Sequence, residues 1–433
     1  MNQVFVEAKK LLLNPSIKLL YNFAEGMNVP LFLVGGSVRD LFLKRSTHDF
    51  DFTLASDAIK FANAFAVSIN APFIQLEEKP ATARVIANYS TVGNNHLTMD
   101  FAQYRAPTLE EDLQLRDLTI NAMAIPLNSL LRSGQPELID PCDGESDLAN
   151  QILKFPSEEV ILHDPLRMLR IFRFAAQLDF QITQESKSYI HKHHYRLSEV
   201  SKERIRDEFL KILNTKNSIE YLHEMLNIGL LTQILPEIKE LDDFKQAIIN
   251  FEDNTIPDEL SQYKSEIDFY MGEEFGADVT RNALIKLSLL LNDNIDVSDL
   301  LCLSRKAIKF TETVIEGFRF LQKSHLTENE IVNFLRICHT ELWGVLMFSA
   351  AIDPNLTHQF KRIVDTYFHH FLPIVKQGRL ITGKDIIRKF QVREGKEVGE
   401  ILKLIEDKQF YGEIKTRAEA FAVVETLIHQ YRE

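Results

Sequence analysis

A single change of pattern near residue 147 constrains how this chain of 433 residues can fold. Between residues 30 and 140, short β-type runs such as DFDFTL and HLTMDFA are broken by Gly, Asn and Pro and interleaved with helical patterns. Beyond residue 147, apolar residues recur three and four positions apart, as in HDPLRMLRIFRFAAQL, which is typical of helices. The sequence therefore predicts a mixed head of helices and strands, followed by a long helical remainder.

The length and composition narrow the class of protein. A chain this long predicts two to four modules, and its composition of 45% hydrophobic and 26% charged residues is that of a globular protein. No apolar run approaches the ~20 residues that span a bilayer, and the first twenty residues lack the features of a signal peptide. The cysteines are scattered without metal-ligand spacing, at Cys142, Cys302 and Cys338. We therefore expect a cytoplasmic protein with no membrane partner.

The charge is unevenly distributed along the chain. The net charge of -13 argues against nonspecific binding to nucleic acid. Residues 163–216 and 376–417 each hold 11 Lys and Arg against 7 Asp and Glu, whereas residues 237–300 hold 5 against 16. The two basic regions can bind phosphates locally, because screening confines their field to ~10 Å. Solvated helix faces would give the same pattern.

The segment FLVGGSVRDLFLKRSTHDFDFTL contains the strongest candidate site. Asp49 and Asp51 lie two apart on a predicted strand, so their carboxylates share one face and suit Mg²⁺, a hard cation that prefers oxygen ligands. Upstream, Gly35, Gly36 and Ser37 stand between a strand and a helix, where backbone N–H groups can approach a triphosphate. Arg39 is a further candidate phosphate ligand. The alternative is a strand end with two solvated aspartates.

Five ordered motifs resemble those of the class II tRNA nucleotidyltransferase and bacterial poly(A) polymerase family. They are LVGGSVRD with DFDFT, RDLTINAMA at 116–124, LIDPCDGESDL at 138–148, HDPLRMLRIFRFAAQLDF at 163–180 and VSKERIRDEFLKIL at 200–213. The segments GLLTQILPEI and LITGKDIIRKF resemble the body and tail of the bacterial CCA-adding enzymes in particular. The resemblance covers nearly the whole chain.

The resemblance implies a fold and an activity. The fold is α+β, with an N-terminal polymerase-β-like nucleotidyltransferase head that contains a mixed sheet, followed by an all-α neck, body and tail. The implied parts are the head at 1–148, the neck at 149–216, the body at 217–370 and the tRNA-binding tail at 371–433. The implied activity is addition of CMP and AMP, from CTP and ATP, to the 3′ end of tRNA without a template. The implied cofactor is Mg²⁺ at Asp49 and Asp51, acting in two-metal phosphoryl transfer.

The fourth motif is implied to read the base. Asp164 can accept from the exocyclic amine that both C and A carry, and Arg167 can donate to the neighbouring ring nitrogen. U and G present the opposite polarity there, and two mismatched buried hydrogen bonds would cost roughly 1–3 kcal/mol each. Asp164 and Arg167 are three residues apart, which predicts that they share one face of a helix. The alternative interpretation is a simple ion pair between them on that face.

Further site residues follow from the resemblance alone. Asp100, on a predicted neighbouring strand, is a candidate third carboxylate that takes the proton from the tRNA 3′ hydroxyl, although an exposed strand aspartate would look the same. The remaining nucleotide-binding candidates are Arg116, Asp117, Asn121, Arg170 and Arg173. Arg170 and Arg173 could instead pair within the neck.

Four alternatives stay open on sequence grounds. A CC-adding enzyme is favoured by the short connection between Asp100 and Arg116, because full CCA-adding relatives have a longer flexible segment there. CCA addition is nevertheless the leading interpretation, since Asp164 and Arg167 accept either base. A poly(A) polymerase or a noncatalytic RNA-binding protein fits less well. A phosphohydrolase is disfavoured because Asn292-Asp293 stands where relatives carry His-Asp. The oligomeric state is left open.

Overall fold

A computed structural model describes residues 14–45, 47–88, 96–130, 137–253, 256–275, 279–291, 301–323 and 325–432. Its contacts divide the chain into two compact units, residues 1–239 and 240–433. The first unit holds the sheet and the second is helical, so the α+β fold with a mixed-sheet head and a mostly helical remainder is confirmed. The finer division into head, neck, body and tail stays a prediction.

The head is built on a six-stranded mixed sheet with strand order β3-β4-β5-β2-β1-β6. The strands are β1 Phe32–Val34, β2 Asp49–Leu54, β3 Phe73–Glu77, β4 Thr82–Asn88, β5 His96–Gln103 and β6 Ala124–Pro126. Strands β2 and β5 run parallel, and the other neighbours are antiparallel. The central position of β2 places its residues between β1 on one side and β5 on the other.

One face of this sheet is apolar because the side chains along β2 alternate. Phe52 is fully buried and stacks on Phe101 of β5 at a ring distance of 5.5 Å. Phe61 and Phe65 of a covering helix pack on the Phe101 ring at 5.6 and 6.3 Å. The helices of the head are α1 Pro15–Gly26, α2 Gly36–Phe42, α3 Ala58–Ser68, α4 Leu109–Gln114 and α5 Gly144–Ala149. Phe50 and Phe52 are two residues apart on β2, and both are buried in this core. Asp49 and Asp51 alternate with them along the strand and therefore project from the opposite face.

The rest of the first unit is mainly helical. Its helices are α6 Glu159–His163, α7 Arg167–Leu178, α8 Gln184–His193, α9 Lys202–Leu213, α10 Ser218–Asn227 and α11 Leu231–Ile234. The expectation of an all-α region is wrong at one place, since β7 Ile152–Leu153 and β8 Gln181–Ile182 form a short parallel pair. Two-residue strands carry too little alternation to be read from sequence.

The second unit contains the remaining helices. They are α12 Asp242–Glu252, α13 Lys264–Gly272, α14 Arg281–Leu290, α15 Arg305–Leu321, α16 Glu328–Cys338, α17 Leu342–Ile352, α18 Phe360–Thr366, α19 Leu372–Gln377, α20 Gly383–Phe390, α21 Lys396–Phe410 and α22 Arg417–Arg432. The last three share an apolar cluster that includes Ile386, Ile401 and Val424. The predicted hydrolase remnant at Asn292-Asp293 lies outside the described residues.

One helical stretch of this unit, Glu328–Ile352, is long and apolar enough to cross a membrane by length and composition alone. A 3-10 turn at His339–Glu341 separates its two helices, and 61% of its most apolar window is buried within the fold. Core helices meet the same two criteria, and Val345 and Leu346 are fully buried here. The stretch packs as part of the unit's core.

Candidate active site

Ser37 holds in place the part of strand β2 that contains Asp49 and Asp51, which we call the D-x-D pair. The backbone N–H of Asp51 donates to the Ser37 hydroxyl at 2.8 Å, and that hydroxyl donates to the carbonyl of Asp49 at 3.5 Å. Ser37 is only 2% exposed. The Ser37 hydroxyl therefore fixes the strand. The group of Ser37 that is predicted to contact a triphosphate is its backbone N–H.

The glycine turn lies directly beside Asp51. Gly35 has a φ of +65°, and a Cβ there would come within 3.1 Å of Arg116 Nη1 and 3.6 Å of Asp51 Oδ2. A Cβ on Gly36 would lie 3.4 Å from Arg39 Nη2 and 3.7 Å from Asp51 Oδ2. A side chain at Gly35 would be strained as well as crowded. The structure thus brings two guanidinium groups and a bare backbone to the same carboxylate.

The environment of Asp51 disfavours its negative charge, so a nearby cation would stabilise the ionised carboxylate. Burial is the largest influence and raises its pKa, the charges of Asp100 and Asp49 raise it further, and Arg116 and Arg39 oppose this, so the pKa reaches about 6. A divalent cation between Asp49 and Asp51 would counter both the burial and the repulsion. This carboxylate pair on one strand face therefore fits the divalent metal that the family resemblance implies.

This elevated pKa predicts a pH-dependent gain in stability for Asp51→Asn in EDTA. A carboxyl whose pKa rises from 3.8 to about 6 on folding favours the folded state below pH ~4 and loses that contribution as the pH rises towards 6. The amide does not titrate. The melting temperature of Asp51→Asn should therefore exceed that of the wild type at pH 7 and match it near pH 4, as differential scanning calorimetry can measure. A difference that is constant from pH 4 to 7 would contradict this.

Asp100 is placed beside Asp51 but is held by an arginine that the sequence did not single out. In the β2–β5 register, Asp100 lies opposite Asp51. Arg84 of β4 donates from Nε and Nη2 to the two carboxylate oxygens of Asp100, each at 2.8 Å. Within the described ranges no group of three or more His, Cys, Asp or Glu side chains could hold a metal. Asp100 as the proton acceptor stays a prediction.

The second motif is anchored on Asp112, which the sequence reasoning also missed. Asp112 is 1% exposed, and its Oδ1 accepts from both the backbone N–H and Nε of Arg105, at 3.0 and 3.1 Å. Its Oδ2 accepts from Arg116 Nη2 at 3.4 Å. Burial lowers the pKa of Arg116, while the charge of Asp112 raises it. Asp112 thereby positions the guanidinium beside Gly35.

Four of the predicted nucleotide-binding residues are bonded to one another. Arg170 donates to Asp117 Oδ2 from Nε at 2.9 Å and from Nη2 at 2.6 Å, and Asn121 donates to Asp117 Oδ1 at 3.0 Å. Arg39 Nη1 in turn donates to Asn121 Oδ1 at 2.9 Å. Burial would raise the pKa of Asp117, but the Arg170 charge and these hydrogen bonds outweigh it and hold the pKa well below its usual range. The network links the glycine turn to α7.

Arg170 and Arg173 also pair with Glu208 of α9. Arg173 Nε lies 2.7 Å and Arg170 Nη1 3.8 Å from the Glu208 carboxylate, which is in a residue only 8% exposed. The guanidinium of Arg173 lies 4.2 Å from the centre of the Phe174 ring, and that of Arg39 lies 5.0 Å from it. Both arginines therefore form ion pairs within the protein, which is the alternative to nucleotide binding that the sequence left open. A direct nucleotide contact of Arg170 or Arg173 stays a prediction.

Asp164 and Arg167 come together differently from the expected helical face. Helix α7 begins at Arg167, and Asp164 precedes it with extended backbone, so the expectation that both lie on one helix is wrong. Asp164 Oδ1 accepts from the backbone N–H of Leu166 at 3.2 Å, and its Oδ2 accepts from Arg204 Nη2 at 2.9 Å. Arg167 Nη1 donates to the Val160 carbonyl at 3.1 Å. Arg204 and the helix start therefore fix the predicted base-reading carboxylate.

Three family models match consecutive parts of the chain. Residues 31–154 match the poly A polymerase head domain, and residues 179–241 match a probable RNA and SrmB-binding site of polymerase A. Residues 281–424 match tRNA nucleotidyltransferase domain 2.

Relatives and solved structures cover almost the whole chain. The chain is 30% identical over 419 residues to the CC-adding tRNA nucleotidyltransferase of Geobacter sulfurreducens, covering 94% of each chain. It is 28% identical to that of Synechocystis, covering 91% of this chain and 93% of the relative. A solved structure of a CCA-adding enzyme with CTP aligns with a TM-score of 0.71 at 24% identity, covering 99% of this chain and 98% of that one. The chain is therefore an enzyme that belongs to the tRNA nucleotidyltransferase and poly(A) polymerase family.

Proposed function

We propose that this enzyme adds two cytidines from CTP to the 3′ end of tRNA and stops before the terminal adenosine. The observation that carries this choice is the connection between β5 and α4, which is only residues 104–108. The two full-length relatives described above are named as CC-adding enzymes, which supports the same choice. CCA addition, which the sequence favoured, becomes the second candidate.

The connection is short and tied down. Tyr104 N–H donates to the Leu54 carbonyl at 3.1 Å, and Arg105 is held by Asp112 through its backbone and its side chain. Thr108 then begins α4 with a capping box, in which its hydroxyl and the Glu111 side chain bond reciprocally to backbone N–H groups at 3.2 Å. A tethered five-residue segment has few conformations to offer. A site that must change shape to switch from C to A would lack that freedom.

The residues of the site have defined tasks in this proposal. The backbone at Gly35 and Gly36, with Arg39 and Arg116, receives the triphosphate, because these groups surround Asp51 without side-chain obstruction. Asp49 and Asp51 would hold the divalent metal, for which we propose Mg²⁺. Such a metal, when bound, neutralises the charge that develops on the phosphates during transfer.

Base choice is assigned to Asp164 and Arg167. Asp164 is fixed by Arg204 and the Leu166 N–H, and each carboxylate oxygen has a further lone pair to accept from an exocyclic amine. Arg167 donates to a carbonyl from Nη1 and keeps other N–H groups for the ring nitrogen of the base. This pattern accepts A as well as C, which is the specific observation that favours the CCA candidate.

Product analysis with two tRNA transcripts tests the function. With CTP and ATP together, a transcript that ends before CC should gain two cytidines and no adenosine. A transcript that already ends in CC should gain nothing from ATP alone. Clean addition of one adenosine would establish CCA addition instead, and long ATP-dependent extension would identify a poly(A) polymerase. The Asp51→Asn chain, prepared in the same way, controls for contaminating enzymes.

A further inference from the structure

The proposed site leaves one side of β2 without an assigned substrate. Gly35 and Arg116, which surround the predicted triphosphate, lie towards β1. In phosphoryl transfer the attacking and leaving oxygens are roughly in line, so the attacking hydroxyl approaches from the side away from the leaving pyrophosphate. If the proposed function holds, the RNA 3′ end therefore approaches over β5 and β4.

On that side, three charged residues form a row across neighbouring strands. Asp51 of β2 lies opposite Asp100 of β5, and Asp100 lies opposite Arg84 of β4. Residues directly opposite each other in a sheet project from the same face. Arg84 therefore stands on the face of the D-x-D pair, two strands away from Asp51.

Arg84 has both the charge and the free geometry for a phosphate. Asp100 takes its Nε and Nη2, so Nη1 is the guanidinium nitrogen that this ion pair leaves open. The Arg84 side chain is 40% exposed and that of Asp100 is 26% exposed. An RNA phosphate approaching Asp49, Asp51 and Asp100 would be repelled by three carboxylates, and Arg84 places a positive charge on its path.

We propose that Arg84 binds the phosphate preceding the 3′-terminal nucleotide of the RNA acceptor, while its ion pair aims Asp100 at that nucleotide's hydroxyl. The proposal rests on the proposed function, because it needs an RNA 3′ end as the acceptor. It assigns Arg84 a contact with the acceptor and none with CTP. Arg84 acts on the hydroxyl only through Asp100, so towards the chemistry it is a positioning residue.

A cycle that changes both the protein and the RNA tests this contact. The acceptor is a tRNA transcript ending before CC, with either a natural phosphate or a neutral methylphosphonate at its last linkage. Binding is measured in EDTA by gel shift, so that no metal or chemistry is required. The methylphosphonate should weaken binding to the wild type about tenfold, as expected for a charged hydrogen bond, and weaken binding to Arg84→Ala by less than about twofold. In steady-state assays with the natural transcript, Arg84→Ala should have a higher KM for tRNA than the wild type and the same KM for CTP.

The controls separate a phosphate contact from a structural role. Lys60→Ala removes another cation of the head, one paired with Asp57 at 3.1 Å, and should keep the tenfold response. A methylphosphonate two linkages upstream should affect the wild type and Arg84→Ala equally. If Arg84→Ala does not fold, Arg84→Gln replaces it, because glutamine retains a donor for Asp100. Equal sensitivity of the wild type and the variant to the last linkage would overturn the proposal. Loss of the proposed function itself is recognised separately, as a wild type that adds no nucleotide to any transcript.

Discussion

Replacing either aspartate of the D-x-D pair, as Asp49→Asn or Asp51→Asn, should lower the rate of nucleotide addition by a factor of about a thousand or more. Each substitution removes one anionic ligand of the proposed metal while keeping the shape of the side chain. Both side chains project from the sheet face opposite the apolar core that contains Phe52 and Phe101, so the head should remain folded. Single-turnover assays with a tRNA transcript ending before CC measure the effect.

Binding of tRNA separates loss of chemistry from loss of structure. Because the tRNA is expected to be held mainly by the helical parts of the chain, its affinity in EDTA should be unchanged or slightly higher once a negative charge is removed. Asp57→Asn is a matched control, since Asp57 is the half-buried N-cap residue of α3 and asparagine caps a helix equally well. If both Asp49→Asn and Asp51→Asn kept a tenth of the wild-type rate, the assignment of these carboxylates as metal ligands would be wrong.

Features that depend on short-range pattern could be predicted from the sequence. The alternation in DFDFTL indicates a strand with Phe50 and Phe52 on the core face and Asp49 and Asp51 on the other, as the structure has it. The edge strand β3 was not predicted, because its residues are mostly exposed and its sequence FIQLE shows no buried alternation. A strand that packs on one edge only leaves little trace in hydrophobicity.

Charged partners that are distant in sequence could not be predicted. Arg84 and Asp100 meet through strand register, and Arg173 and Glu208 meet through the packing of α7 on α9. Neither relation has a fixed spacing along the chain, so composition and periodicity do not contain it. The family resemblance predicted which residues belong to the site and did not indicate which of them bond to each other.

The third motif, LIDPCDGESDL, shows how such a long-range relation supports the site. Asp140 accepts from the backbone N–H groups of Gly144 and Glu145, each at 2.8 Å, and so holds the start of α5. Asp147 of the same helix accepts from the Thr119 hydroxyl at 2.6 Å. Thr119 opens the 3-10 turn that carries Asn121, the partner of Asp117 and Arg39. The motif thereby clamps the second motif in position.

Gly144→Ala should disrupt this clamp and abolish most of the activity. A Cβ at Gly144 would lie 2.2 Å from the carbonyl oxygen and 2.9 Å from the carbonyl carbon of Thr119, and both atoms belong to backbone that cannot rotate away. The turn at 119–121 must then shift, which moves Asn121 away from Arg39. We expect a destabilisation of about 1–3 kcal/mol or more, as for overpacking in a core, which calorimetry can measure together with the rate of nucleotide addition.

Gly399→Ala provides the opposite expectation for the same chemical change. Gly399 lies inside helix α21, and a Cβ there meets nothing within 4 Å among the described residues. Alanine in a helix interior is favoured over glycine by up to about 1 kcal/mol, so this variant should melt at the same or a higher temperature. If Gly144→Ala kept both the wild-type melting temperature and the wild-type rate, the contact between α5 and the turn at 119–121 would not position the site, and the third motif would need another role.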